Sequence, residues 1–378
     1  MKKLLTGTTA LIAAGLLSSG AYAADAIKIG VGGYFGGGIV MVDQDDADTE
    51  PGRNTRNHRI ERESEITFSG STTLDNGIKV GANIQLEGES SGDIIDESYI
   101  WFEGSFGKIQ FGAEDSAAVG LNVGTPKPSN FFWGAASPVF SLVDCGTNGV
   151  GILQGLSCAI GDYGLFGVDG DAEKITYFTP KMGGFQLGIS YTPDNHEAGQ
   201  QGAGYSGGDS DNDANQQSEV VSIGAQWSGD LGGMGVRIGG GYKQGSLEVS
   251  SATAEDRDYW GIGVSVSKDK FNVGAHWTED DLGTSAVNSD KTSLVLGVNY
   301  KLGGPWQVGA EYTKTEVEAG AVGGEDEGEA FTLGGNYNMG GGVSFQAEVQ
   351  FWDISDNLGA AAAENDATVI LVGTTIWF

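Results

Sequence analysis

Along most of this chain, apolar and polar side chains alternate for about ten residues, stop at a turn, and begin again. A side-chain period of two belongs to β-strands, whose successive residues point to opposite faces. The most regular case runs from Ile78 to Glu87. Ile78, Val80, Ala82, Ile84 and Leu86 share one face, and Lys79, Gly81, Asn83, Gln85 and Glu87 share the other. Phe185, Leu187, Ile189 and Tyr191 repeat the pattern, as do Val343, Phe345, Ala347, Val349 and Phe351. Sixteen such strands can be traced between Ile27 and Phe378. The expected fold class is therefore all-β.

The connections alternate as well. Seven are short, near Asn76, Ser105, Met182, Leu231, Asp269, Gly303 and Gly341. Asp75-Asn76-Gly77 has the residues that tolerate the positive φ of a tight hairpin. The eight others are mostly longer and more acidic. Tight turns at one end and long loops at the other mark a transmembrane antiparallel β-barrel, and an even strand number puts both termini at the short-turn end. The polar faces point the same way. They carry Lys79, Gln85, Gln110, Gln226, His276, Glu311, Gln346 and Glu348, among others. Buried dry, each unpaired polar group costs on the order of 1–3 kcal/mol. Lipid against one face and water against the other relieves both demands. A soluble acidic β-sandwich accounts for the alternation but not for the two classes of connection. Trp227, Trp306 and Trp377, near the short-turn ends, suit an aromatic girdle.

Residues 1–23 read as a cleaved signal peptide: Lys2 and Lys3, an apolar run from Leu4 to Leu17, then Ala21-Tyr22-Ala23. The remaining domain is 24–378. Its acidity, with a net charge of −31 for the whole chain, argues against nucleic acid as a partner. It also provides a field that attracts cations to an opening.

One stretch, Asp115 to Ala172, breaks the rhythm. It contains Cys145 and Cys158, the cluster Phe131-Phe132-Trp133, and the acids Asp115, Asp144, Asp162, Asp169 and Asp171 against the single base Lys127. An insertion this long in a compact repeat is commonly functional. It is expected to fold into the barrel and narrow the passage. Glu61, Glu63 and Glu65 share one parity and are expected to line the wall, as are the acids Glu114, Asp115, Asp144 and Asp162. Arg59, Arg237 and Lys243 are the expected interior bases. With acids dominant, the passage should prefer cations. Cys145 and Cys158 are expected to pair, because export permits a disulfide; two free thiols are the alternative. No cofactor is expected. The acidic stretches Asp43 to Asp46, Asp209 to Asp213 and Glu325 to Glu327 offer oxygens to Ca²⁺ but lack the twelve-residue loop pattern.

Gly104-Ser105-Phe106-Gly107-Lys108 followed by Gln110-Phe111-Gly112, the turn Lys181-Met182-Gly183-Gly184-Phe185, and the ending Gly373 to Trp377-Phe378 resemble the general bacterial porins, nearest to those of alphaproteobacteria. The resemblance spans nearly the whole mature chain. It implies a 16-stranded outer-membrane barrel, usually a homotrimer, with the third long loop folded into the lumen. It also implies contact with outer-membrane lipid and lipopolysaccharide, and a terminal Phe378 read by the barrel-assembly machinery. The implied function is passive diffusion of small hydrophilic solutes and ions. A solute-specific porin is the near alternative, and a plugged barrel serving binding or adhesion a further one. His58, His196 and His276 fall in no catalytic motif, so an enzyme is not expected.

Overall fold

The computed structural model describes residues 25–44, 56–88, 95–129, 143, 160, 164–195, 216–284, 290–318, 325–356 and 363–378. The sixteen strands are β1 (Gly30–Gln44), β2 (His58–Thr73), β3 (Lys79–Glu87), β4 (Ile95–Gly104), β5 (Gly107–Ala113), β6 (Glu173–Phe178), β7 (Phe185–Thr192), β8 (Gln217–Asp230), β9 (Gly235–Leu247), β10 (Arg257–Lys268), β11 (Phe271–Asp280), β12 (Lys291–Gly303), β13 (Trp306–Glu318), β14 (Glu325–Gly340), β15 (Val343–Asp356) and β16 (Ala363–Trp377). Each pairs antiparallel with its sequence neighbours, and β1 pairs with β16 to close the barrel. The closing register runs from Tyr34 opposite Trp377 to Gln44 opposite Ala367. Gly33 and Phe378 exchange two backbone hydrogen bonds of 3.0 Å just beyond it. The short connections join β2 to β3, β4 to β5, and so on to β14 and β15, as their positions in the sequence predict.

One face of the alternation is exposed and apolar: Ile60, Phe185, Leu187, Ile262, Phe271 and Leu333 all point outward. Aromatic pairs sit on this face beside the short turns. Phe271 stacks near Tyr300 with ring centroids 4.4 Å apart, and Trp306 near Tyr337 at 4.5 Å. The Trp227 indole N–H donates to the Gly183 carbonyl at 3.3 Å. An apolar ring anchored by a polar edge suits a membrane–water boundary.

The inner face departs from simple alternation most fully around the closing seam. Val40, Val42, Val369, Leu371, Trp352 and Ile354 sit on the inward parity of β1, β16 and β15. They are only 0–6% exposed. Large apolar side chains are tolerated there because these positions are shielded from water.

A second inner feature explains much of the glycine content. After β5 the chain makes one helical turn, α1 (Ala117–Gly120), then continues to Ser129 along the inner wall. Where it crosses a strand, the wall residue facing it is often glycine. A Cβ on Gly224 would overlap the Ala117 carbonyl, and one on Gly263 the Val123 carbonyl. A Cβ on Gly274 would lie 2.8 Å from Pro126, and one on Gly309 2.8 Å from Pro128. These strands forgo side chains so that a second layer of backbone can lie against them.

This packing predicts the effect of refilling the track. Gly263→Val should displace the segment by overpacking, costing about 1–3 kcal/mol, while leaving the barrel ladder intact. Limited proteolysis of the refolded barrel checks it. Faster cleavage within 115–172 is the expected result, and parental resistance would contradict the packing.

Candidate functional site: the inner wall and the segment lying on it

Polar hooks hold residues 116–129 in place. The Ala117 amide donates to Ser190 Oγ on β7 at 2.7 Å, and the Ala118 amide to Ser222 Oγ on β8 at 3.0 Å. Gln226 donates to the Leu121 carbonyl at 3.2 Å. His276 on β11 meets Asn122 at 2.9 Å. Thr125 donates to Glu311 on β13 at 3.2 Å, and Ser129 to Glu348 on β15 at 2.5 Å. Polar residues that looked, from sequence, like water-facing side chains are thus partly spent on this segment.

The returning arm, 164–172, is held by charge. Lys243 on β9 donates to Asp169 at 2.5 Å and to the Gly167 carbonyl at 3.1 Å, and both side chains of the ion pair are almost fully buried. Thr192 adds a bond to the other Asp169 oxygen at 3.2 Å. Lys174 on β6 donates to the Gly170 and Ala172 carbonyls at 2.9 and 2.6 Å, and to that of Glu114. A single ammonium therefore ties the start of the segment to its end. Leu165 and Tyr259, both 0% exposed, complete the contact.

The inner wall is unevenly covered. Inward polar side chains on β7 to β15 include many buried ones: Ser190, Ser222, Lys243, His276, Glu311, Thr332 and Gln350. Among the described residues of β2 and β4, none is buried. That partly open arc carries Glu61, Glu63 and Glu65, as their shared parity predicts. Tyr34 on β1 donates to Glu63 at 3.2 Å. Arg59 faces the same way but is engaged by Glu61.

At the long-loop end of this arc Glu114 and Asp115 join Glu97, a residue the sequence reading missed. Carboxylate oxygens of all three lie within 4.8 Å of one another. Hydrogen bonds link Glu114 to Glu97 and to the Tyr99 hydroxyl. Burial raises the Glu114 carboxyl above the ordinary carboxylate range. Burial also raises Asp115, with Lys243 and Lys174 acting in the opposite direction. Such a group has the oxygens a divalent cation takes, at a place none of the three acidic stretches singled out above occupies.

Of the expected interior bases, Lys243 needs correction, and Arg237 stands inward but away from the segment. Lys243 faces inward but is neutralised by Asp169, so it anchors the segment and offers no free charge to the passage. Arg237 is inward by parity, yet it lies two residues closer to the short turn than Gly239, where Leu121 crosses the wall. It sits below the segment. Asp144, Asp162, Cys145, Cys158 and Phe131 to Trp133 lie outside the described residues, as does residues 1–23. Of the stretches considered for Ca²⁺, Asp45, Asp46 and Asp209 to Asp213 do too.

Comparison with known proteins agrees with this architecture. A family model described as Gram-negative porin matches residues 7–357. No relative was found among curated protein sequences. Among solved structures, a loop L8 deletion mutant of OmpT, an outer membrane protein of Vibrio cholerae, is 16% identical, with a TM-score of 0.60 over 94% of this chain and 100% of that one. An anion-selective porin from Comamonas acidovorans is 18% identical, with a TM-score of 0.60 over 93% and 100%. In-vitro folded OmpT of Vibrio cholerae in its trimer form is 15% identical, with a TM-score of 0.58 over 94% and 100%. At these identities the likeness establishes the fold.

The anchoring role of Lys243 is testable by a mutant cycle. Removing one partner of a buried pair strands the other charge and costs about 3–5 kcal/mol. Lys243→Met and Asp169→Leu should each loosen residues 164–172, and the double substitution should loosen them less than either alone. Hydrogen exchange of that segment reads this out, and additive effects would contradict the pair.

Proposed function

The chain belongs to the Gram-negative porin family and forms an outer-membrane porin channel, and from that premise we propose a cation preference set on one arc of its wall. Small hydrophilic solutes and ions pass by diffusion, without a cofactor or an energy source. The observation that carries the sign of selectivity is the unequal fate of the inner charges. Glu61, Glu63, Glu65, Glu97, Glu114 and Asp115 gather on the partly open arc. Lys243 and Lys174 are absorbed by the segment. Arg59, Lys79 and Lys108 stand on the same arc, Arg59 engaged by Glu61, but the six acids outnumber them, and a wall of net negative charge concentrates cations. The anion-selective Comamonas acidovorans porin has the same fold, so the sign must come from side chains and not from the barrel.

In this reading residues 115–172 are the constriction loop. Its anchorage from β7 to β15 supports that assignment, because it narrows the passage toward β1–β5. Residues 1–23 act as the signal peptide, and Cys145 and Cys158 pair. The trimer form of OmpT supports a homotrimer. Outer-membrane lipid and lipopolysaccharide surround the apolar band. Phe378, outward and 63% exposed at the closing seam, is available to the barrel-assembly machinery.

Reversal potentials in planar bilayers across a KCl gradient test the preference. The parent should show a cation-side potential, and the Glu61→Gln, Glu63→Gln, Glu65→Gln triple variant should move it toward zero. An anion-side potential in the parent would refute the proposal. A verified barrel without conductance would favour a plugged barrel serving binding.

The raised carboxyls add a pH signature. Because Glu114 and Asp115 hold their protons to higher pH than ordinary carboxylates, their charge is lost first as pH falls. Cation preference should decline in the mildly acidic range, before exposed carboxylates titrate near about pH 4. A reversal potential that stays flat until that point would contradict it.

A further inference from the structure

The inner charges are sorted along the passage as well as around it. Toward the short turns the described inner wall is basic. Lys79 on β3 and Lys108 on β5 flank Glu103 on β4 and lean over the inward ring of Trp101, with Nζ 5.3 and 5.6 Å from the indole centroid. Arg237 and Lys301 face inward by parity and are exposed, each near the turn end of its strand. Lys28 joins them from just before β1. Ile27 and Ile29 lie over Gly70 on the outer face, which leaves Lys28 on the inner one. Among the described residues none of these bases makes an ion pair, and Glu103 is the one acid at their level. In the turns themselves Asp75, Asp230 and Asp269 are offset by Lys181, Lys268 and Lys270.

The long-loop half has the opposite sign. Glu61, Glu63, Glu65 and the Glu97–Glu114–Asp115 group all stand there. Its inward bases are largely engaged: Arg59 by Glu61, Lys243 by Asp169, Arg257 by Asp280, and Lys174 by three carbonyls. On β4, Glu97 lies 103 − 97 = 6 residues beyond Glu103, about 20 Å at the rise of a strand. A strand tilt of about 40° leaves roughly 15 Å of that along the barrel axis. This exceeds the ~10 Å over which salt at 0.1 M screens a charge, so neither zone cancels the other.

We propose that the channel is an ion-current rectifier, passing cations inward from the long-loop side, and anions outward, more readily than the reverse. Cations are enriched in the acidic zone and anions in the basic one. With the long-loop side positive, cations enter through the acidic zone and anions through the basic zone, and both accumulate where the zones meet. The opposite polarity draws both away from that junction, empties it of carriers and lowers the current. The inference rests on the channel reading above and adds a direction to it, which a cation preference alone does not require.

The test compares single-channel currents of the refolded full chain at equal and opposite voltages in symmetric KCl. The chamber from which a positively charged methanethiosulfonate alters the current of Ser105→Cys, a substitution in the β4–β5 turn, identifies the short-turn mouth. In 0.1 M KCl the current should be about twofold larger with the long-loop side positive, and in 1 M KCl, where screening shortens to about 3 Å, the two polarities should match. Arg237→Gln combined with Lys301→Gln, both at exposed positions, should lower the ratio in 0.1 M KCl, and adding Lys79→Gln should bring it to one. A larger current at the opposite polarity overturns the rectifier, as does a ratio that persists in 1 M KCl or in the triple variant. Equal currents in 0.1 M KCl with a cation-side reversal potential overturn it and leave the cation preference standing. A barrel that does not conduct removes the channel reading and the rectifier with it.

Discussion

Everything in this molecule depends on the pairing of its first strand with its last. In hydrocarbon an unpaired backbone N–H or C=O has nothing to bond to, and each one left bare costs several kcal/mol. Only closure removes the edges. Here β1 and β16 complete it, with Gly33 and Phe378 exchanging the bonds at the extreme end. Once the ladder is closed, the two faces of each strand are released from a common requirement. The outer face must be apolar. The inner face can hold polar groups in numbers that no dry core of this size would tolerate.

The protein then uses that inner freedom unevenly. Along β7 to β15 the wall is small or hydrogen-bonding, and it serves as a bed for residues 116–129. Glycines provide close approach, and Ser190, Ser222, Gln226, Glu311 and Glu348 satisfy the polar groups of the segment. Along β2 to β4 the wall carries long charged and aromatic side chains and is less covered. Buried charge on this side is met by the segment: Glu311 and Glu348 accept from its hydroxyls, and the buried ammoniums find oxygens. The Lys243–Asp169 contact is one such case, and the three carbonyls around Lys174 are another.

Much of this could be read from the chain alone, because strand parity is a local property. Alternation at Ile78 to Glu87 and the Asp75-Asn76-Gly77 turn specify a hairpin without reference to anything distant. Repetition of such units, with short and long connections in turn, specifies the barrel. Parity also put Glu61, Glu63 and Glu65 on the inner face. What parity cannot convey is what a side chain meets across the interior. Lys243 is inward as expected, but its partner Asp169 lies on an arm that returns from another part of the sequence. Lys174 sits in an unremarkable strand, and its role appears only when Glu114 and Ala172 come together around it. Glu97 escapes a pattern reading because Asp96, Glu97 and Ser98 open the strand Ile95–Gly104 without apolar alternation. Trp101 was hidden for the opposite reason: an aromatic residue in a membrane strand is expected to face lipid. The inward valines and leucine of β1 and β16 break the same rule.

The central claim is that the segment covers one side of the interior and leaves the passage on the other. Thiol accessibility measures that directly. Single Glu63→Cys and Ser222→Cys variants, with the parent as control, would be exposed to a positively charged methanethiosulfonate during single-channel recording. Glu63 lies on the partly open arc, whereas Ser222 is 0% exposed beneath residues 116–118. The account predicts rapid modification and a drop in conductance at position 63, with position 222 protected. Equal reactivity at the two positions would mean that the segment does not cover the wall in the membrane, and would contradict the account.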